Sequence, residues 1–202
     1  MPNWCSTSVY FKGNKVKKLY DLINEWTSKS YCENGFDRSG SKCWLGNIVG
    51  NSGIDNRDNG DFSVFCRGWI EDIDLYEETN ELTIQEESAW GTAMELWGKI
   101  NDKYDLELDI TYYAEEPGCE VYLTNDPSYK DKYVVDCPDQ SLIDMGFPDY
   151  ESEMTENSVK ELLKKALKTG IDNIKELLNM LYETDLECYI HKWDIAEVSE
   201  VS

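Results

Sequence analysis

Residues 4–11, WCSTSVYF, alternate in two phases: Cys5, Thr7, Val9 and Phe11 on one side, Trp4, Ser6, Ser8 and Tyr10 on the other. That is the period of a half-buried strand. A turn at Gly13-Asn14 follows, and then Val16, Leu19, Tyr20, Ile23 and Trp26 recur at helical spacing, with Lys15, Lys17 and Lys18 on the outer side. Chain ends are usually polar and frayed. A Trp four residues from the start, in a strand that feeds an amphipathic helix, instead makes the opening part of the core. The fold is therefore constrained from its first residues: a strand–helix unit must find a sheet on which both can pack.

The downstream pattern supplies that sheet. Two strands are expected at about 63–76 and 80–88, joined by Glu77-Glu78-Thr79-Asn80; in the second, Leu82 and Ile84 alternate with Glu81, Thr83, Gln85 and Glu87. A helix is expected over 92–104, with Ala93, Leu96, Trp97, Ile100 and Tyr104 on one face and Thr92 as its cap. A strand over 106–114 then alternates Leu106, Leu108, Ile110, Tyr112 and Ala114 inward with Glu107, Asp109, Thr111 and Tyr113 outward. The order β-α-β-β-α-β predicts an α+β fold of the ferredoxin-like, split βαβ type, an antiparallel sheet with the first strand at its centre. Residues 30–61, rich in Gly, Ser, Asn and Asp, read as a long loop with a short buried piece at Trp44–Val49.

The last third reads as an elaboration: strands at 119–124 and about 132–136, an irregular stretch at 138–150, and two helices. Val159, Leu162, Leu163, Ala166 and Leu167 mark the first helix, with Gly170 as its stop, and Ile174, Leu177, Leu178, Leu181 and Tyr182 mark the second. A final strand spans 186–195. The division expected is a domain over 1–126 that carries the 30–61 loop, and a hairpin, two-helix and final-strand elaboration over 127–202 packed on it. Covering the outward face of the first strand is the simplest place for that elaboration, and would make Trp4 core.

Charge narrows the function classes. The 202 residues hold 41 acids against 19 Lys and Arg, a net charge of −22. Residues 1–30 carry five Lys and two acids, net +3; residues 71–126 carry seventeen acids and two Lys, net −15. A surface of this kind repels nucleic acid and membrane headgroups and attracts basic proteins. Aromatics on a sheet of this fold can stack RNA bases, but counterion release needs Lys and Arg, so direct nucleic-acid binding is not expected. No apolar run approaches the roughly 20 residues of a membrane span, and no apolar signal region precedes the first strand. The expected location is the cytoplasm. The seven cysteines are scattered and odd in number, which points to reduced thiols, several of them buried.

Tests for chemistry return nothing. His191 is the only histidine, and Cys188-x-x-His191 in a strand would point to opposite faces. Dispersed cysteines lack the paired spacing of a zinc site. The stretch DNRDNGDF at 55–62 fails as a calcium loop, because Arg57 and Cys66 fall on ligand positions. Phosphate-cradling Gly loops are absent. No catalytic residue, metal or cofactor is assigned, and the chain is expected not to be an enzyme.

The opening PNWC, followed by a strand, a glycine and a helix, together with Trp90, the 92–104 helix, Tyr112-Tyr113 and Gly118, resembles the YubB-type family of uncharacterised plasmid and phage proteins with a ferredoxin-like domain. The resemblance covers roughly residues 2–125 and implies a mobile-element protein active against host defence or in host takeover; it lends no residue a catalytic role. With the charge pattern, it gives the expected function: an acidic, non-enzymatic interaction protein that binds a basic host protein as an anti-defence inhibitor or nucleic-acid mimic. The docking residues expected are Glu71, Asp72, Asp74, Glu77, Glu78, Glu81, Glu87, Glu107, Asp109, Glu115, Glu116 and Glu120. The alternative is a small-ligand or nucleotide sponge that uses the 30–61 loop as a lid.

Overall fold

The computed structural model describes residues 3–29, 43–54 and 64–198, and the backbone of 32–33 and 36–37. Its elements are β1 (Trp4–Lys12), α1 (Val16–Thr27), β2 (Cys32–Glu33), β3 (Phe36–Asp37), α2 (Leu45–Ser52), β4 (Gly68–Tyr76), β5 (Glu81–Ala89), α3 (Met94–Lys103), β6 (Asp109–Glu116), β7 (Val121–Thr124), β8 (Lys132–Asp136), α4 (Gln140–Ile143), β9 (Ser152–Thr155), α5 (Glu156–Leu167), α6 (Ile174–Tyr182), β10 (Tyr189–Lys192) and β11 (Asp194–Ile195). The protein is α+β. The chain divides into two compact units, Met1–Asn125 with Ala196–Ser202, and Asp126–Ile195.

In the first unit the strands lie in the order β7-β6-β1-β5-β4. β1 sits between β5 and β6, antiparallel to both, with Val9 opposite Ile84 on one side and Tyr112 on the other. The alternation read from the sequence is the one that folds. Cys5, Thr7, Val9 and Phe11 are buried, and the other phase faces out. The helix-side core joins Phe11 and Val9 to Leu19, Ile23 and Trp26 of α1 and to Leu96, Trp97 and Ile100 of α3. Phe11 and Trp97 meet edge to face with ring centroids 5.7 Å apart, the geometry that the ring quadrupoles favour.

Several boundaries differ from the sequence reading. The buried piece in the 30–61 segment is α2, whose Leu45, Ile48 and Val49 are fully buried. Trp44 precedes it as an isolated antiparallel bridge to Trp69. The acidic stretch 55–62 lies outside the described residues. At Gly68 the β5 backbone passes so closely that an added Cβ would stand 2.2 Å from the Glu87 carbonyl oxygen; only glycine fits there. Thr92 does not cap α3: Ala93 is the N-cap residue, and the Thr92 hydroxyl is buried without a partner. The chain reaches α3 through Trp90 at φ 67°, held where its amide donates to the Asn3 carbonyl at 3.0 Å.

The second unit has its own sheet, β10-β8-β9, and its own core of Val135, Leu142, Phe147, Val159, Leu163, Leu177, Leu181 and Ile190. The single-turn α4 lies in the stretch read as irregular, and β9 forms just after it, where no strand was expected. Thr155 caps α5 by accepting from Ser158 N–H, and Asn173 caps α6 in the same way. α5 ends at Lys168, which takes the left-handed conformation expected of Gly170. The last strand is broken at Trp193, which is buried. Cys137 and Cys188 are joined as a disulfide across 51 residues. This corrects the expectation of reduced thiols throughout; among the described residues Cys5 and Cys66 are the buried free thiols. No helix among the described residues is long and apolar enough to cross a membrane.

Candidate interaction surface

The outward face of the first unit's sheet is a grid set by strand register. One row runs Trp69, Glu87, Ser6, Glu115; the next Asp72, Gln85, Ser8, Tyr113; then Asp74, Thr83, Tyr10, Thr111; and last Tyr76, Glu81, Lys12, Asp109. Six of the twelve expected docking carboxylates thus share one face: Asp72, Asp74, Glu81, Glu87, Asp109 and Glu115. The other six lie elsewhere. Glu71 is the extra residue of a β-bulge between Ile70 and Asp72 and accepts from the Trp69 indole N–H. Glu77 and Glu78 are exposed in the β4–β5 turn, Glu107 is exposed just before β6, and Glu120 is exposed after the turn that follows β6. Glu116 is a correction: it continues the Tyr112–Ala114 phase, and at 3% exposure it points into the core.

Trp4 is also corrected. It is 39% exposed, and it meets Trp69 with ring centroids 4.7 Å apart. Tyr10 is 42% exposed and contacts Tyr113 edge-on at 5.8 Å. Tyr10, Tyr76, Thr83, Thr111, Glu81 and Asp109 line a cleft of about 450 Å³ around Lys12. Tyr76 is half exposed at its rim.

The face is less uniformly acidic than composition suggests. Lys12 stands between Glu81 and Asp109 and pairs with Glu81 at 2.7 Å, which holds the Glu81 carboxyl below its usual range, an effect shared with the Thr79 hydroxyl. Lys15 pairs with Glu107 at 2.7 Å and depresses it likewise. The sequence reading placed Lys15 on the outer side of the first helix, gave Lys12 no place, and missed both pairings; Lys12 continues the Trp4–Tyr10 phase, which was the available signal. Among the described residues no ion pair engages Asp72, Asp74, Glu78 or Glu87. Exposed aromatic faces beside carboxylates suit Arg and Lys, which can stack on a ring while pairing with an acid. The first unit already contains one such contact: the Arg67 guanidinium lies 4.1 Å from the Trp90 ring centre.

For other chemistry the described residues offer less. His191 lies on β10 opposite Val134, and Cys188 is held in the disulfide. Among the described residues no group of three His, Cys, Asp or Glu could hold a metal ion. Most of the 30–61 lid invoked for a sponge lies outside the described residues. No family model, curated protein or solved structure matches the chain.

Proposed function

We propose that the first unit is a ferredoxin-like split βαβ domain whose outward sheet face docks a basic protein surface, in the manner of an acidic inhibitor that stands in for nucleic acid. The fold part is supported by β1 lying between β5 and β6, with α1 following β1 and α3 following β5. β7 extends this sheet beyond four strands, and α2 is inserted between α1 and β4. The docking part is carried by one observation: Asp72, Asp74 and Glu87 have no ion-pair partner among the described residues, and they share one face with the exposed Trp4, its half-buried partner Trp69, and the exposed Tyr76. Carboxylates at strand spacing repel phosphate and steer a basic partner inward. Nothing in this reading requires catalysis, a cofactor or direct contact with nucleic acid; the mobile-element setting implied by the PNWC resemblance and the cytoplasmic location expected from composition belong to the same proposal.

The test compares the wild-type chain with the Asp72→Asn/Asp74→Asn/Glu87→Gln variant, each immobilised and exposed to host lysate at low and at high salt. The expected result is a basic protein retained by the wild type at low salt, released by salt, and lost from the variant. The reading is overturned if the two chains retain the same proteins, or if what the wild type retains is not basic.

A further inference from the structure

On the opposite, helix-facing side of the same sheet, ionisable groups lie where apolar ones are expected. Glu86 is 1% exposed, Glu116 3%, and the Cys5 thiol is fully buried; Thr7, Ser88 and Thr92 are buried with them. Register brings them together: Thr7 faces Glu86, Cys5 faces Ser88, and Ser6 faces Glu115, which sets Glu116 beside Cys5. The Asn3–Cys5 opening, the Trp90-Gly91 turn and the end of β6 therefore meet at one corner. Two polar atoms there, Glu116 Oε1 and Thr92 Oγ1, have no hydrogen-bond partner. None of the ion pairs among the described residues brings a Lys or Arg to Glu86 or Glu116.

A buried carboxylate needs either a cation or a proton. Glu86 receives two donors, Trp97 Nε1–H at 2.8 Å and the Ala93 amide at 3.4 Å. The groups facing it are Thr7 from β1, with Cys5 diagonal to it, Ile70 from β4, and Ala93 and Trp97 from the start of α3, while Glu116 of β6 lies on the far side of β1; none carries positive charge. We propose that Glu86 is a proton-binding site of the folded first unit, and that release of its proton loosens the junction between β5 and α3. The proton sits on a carboxyl oxygen and leaves to solvent as the site ionises. Ionisation places a negative charge in the core with only Trp97 and Ala93 to answer it, and Ala93 begins α3 just past the junction that carries Trp90, Gly91 and Thr92. Burial drives the same way, pushing Glu86 up to about 7 against the two hydrogen bonds, and pushing the Cys5 thiol up to about 11.

Trp97 reports directly, because its indole N–H is bonded to the site. In ¹H–¹⁵N spectra of the full chain recorded from about pH 5.5 to about pH 8.5, the Trp97 indole resonance should titrate with a midpoint near neutrality. Glu86→Gln, which keeps the shape and removes the proton site, should leave that resonance still across the range. Should Glu86→Gln fail to fold, ¹³C-labelled glutamate in the wild type serves instead: one carboxyl carbon should titrate near neutrality, well apart from the exposed glutamates. A Trp97 resonance that does not move, a movement that survives in Glu86→Gln, or glutamate carboxyls that all titrate in the acid range would each overturn the assignment.

Discussion

Replacing Trp97 by Phe tests how much the buried Glu86 carboxyl depends on its one indole donor. Trp97 is fully buried, and the exchange keeps an aromatic ring against Phe11 while removing the N–H that reaches Glu86 Oε2 at 2.8 Å. The smaller ring costs about 1 kcal/mol in lost packing at any pH. The lost hydrogen bond is pH-dependent: to an ionised carboxylate it is worth about 1.5–3 kcal/mol, and to a neutral one about half that. The sign follows from linkage. Glu86 is raised from 4.5 to about 7 in the folded chain, so it contributes stability below its unfolded pKa that is lost as pH rises through the folded value. Removing Trp97, which favours the charged form, raises the folded pKa further and steepens that loss. The destabilisation should therefore be about 2 kcal/mol near pH 5.5 and about 3–4 kcal/mol near pH 8. Urea denaturation followed by far-ultraviolet circular dichroism at the two pH values measures it; the transition that moves is that of the first unit. Equal destabilisation at both pH values, or a larger one in acid, would refute the reasoning.

Other outcomes follow from single contacts. Gly68→Ala forces a methyl group onto the Glu87 carbonyl and Ser88 Cα of the neighbouring strand, and should destabilise the first unit by about 3 kcal/mol or more, or prevent its folding, as read by thermal denaturation. The Cys137–Cys188 disulfide closes a loop of 51 residues in the second unit; reduction should cost that unit about 4 kcal/mol, and thiol titration of the unfolded chain should find two fewer free thiols without reductant than with it. Lys12→Met removes the cation between Glu81 and Asp109; it should leave thermal stability unchanged while strengthening, and making more salt-sensitive, the retention of a basic partner by the sheet face.

Much of the first unit was legible because a single periodicity decided each element. Trp4 to Phe11 is long enough for its two phases to be unambiguous, and α1 follows with a complete apolar stripe, so the side each residue faces could be read without knowing its neighbours. The same phase rule already carried Glu86 inward with Leu82 and Ile84, and Glu116 inward with Tyr112 and Ala114. Those two were missed because an acidic residue is assumed to be outside, although alternation constrains side-chain direction regardless of chemistry. Where periodicity was short, reading failed: β9 is four residues long, α4 is a single turn, and Lys168 rather than Gly170 ends α5.

By itself, then, the sequence determined an α+β chain with an acidic surface and a first strand whose alternate residues face a core. Local spacing is enough for that, since it depends only on the geometry of one element at a time. The tertiary structure alone decided which charges meet. Lys12 neutralises Glu81 because β1 lies beside β5, and Lys15 reaches Glu107 across 92 positions. Glu86 and Glu116 are buried on the same side because their strands flank β1, and Trp69 is brought to Trp4. Electrostatic and aromatic contacts depend on distances through space, and those distances are set by strand order and register, which no local pattern records.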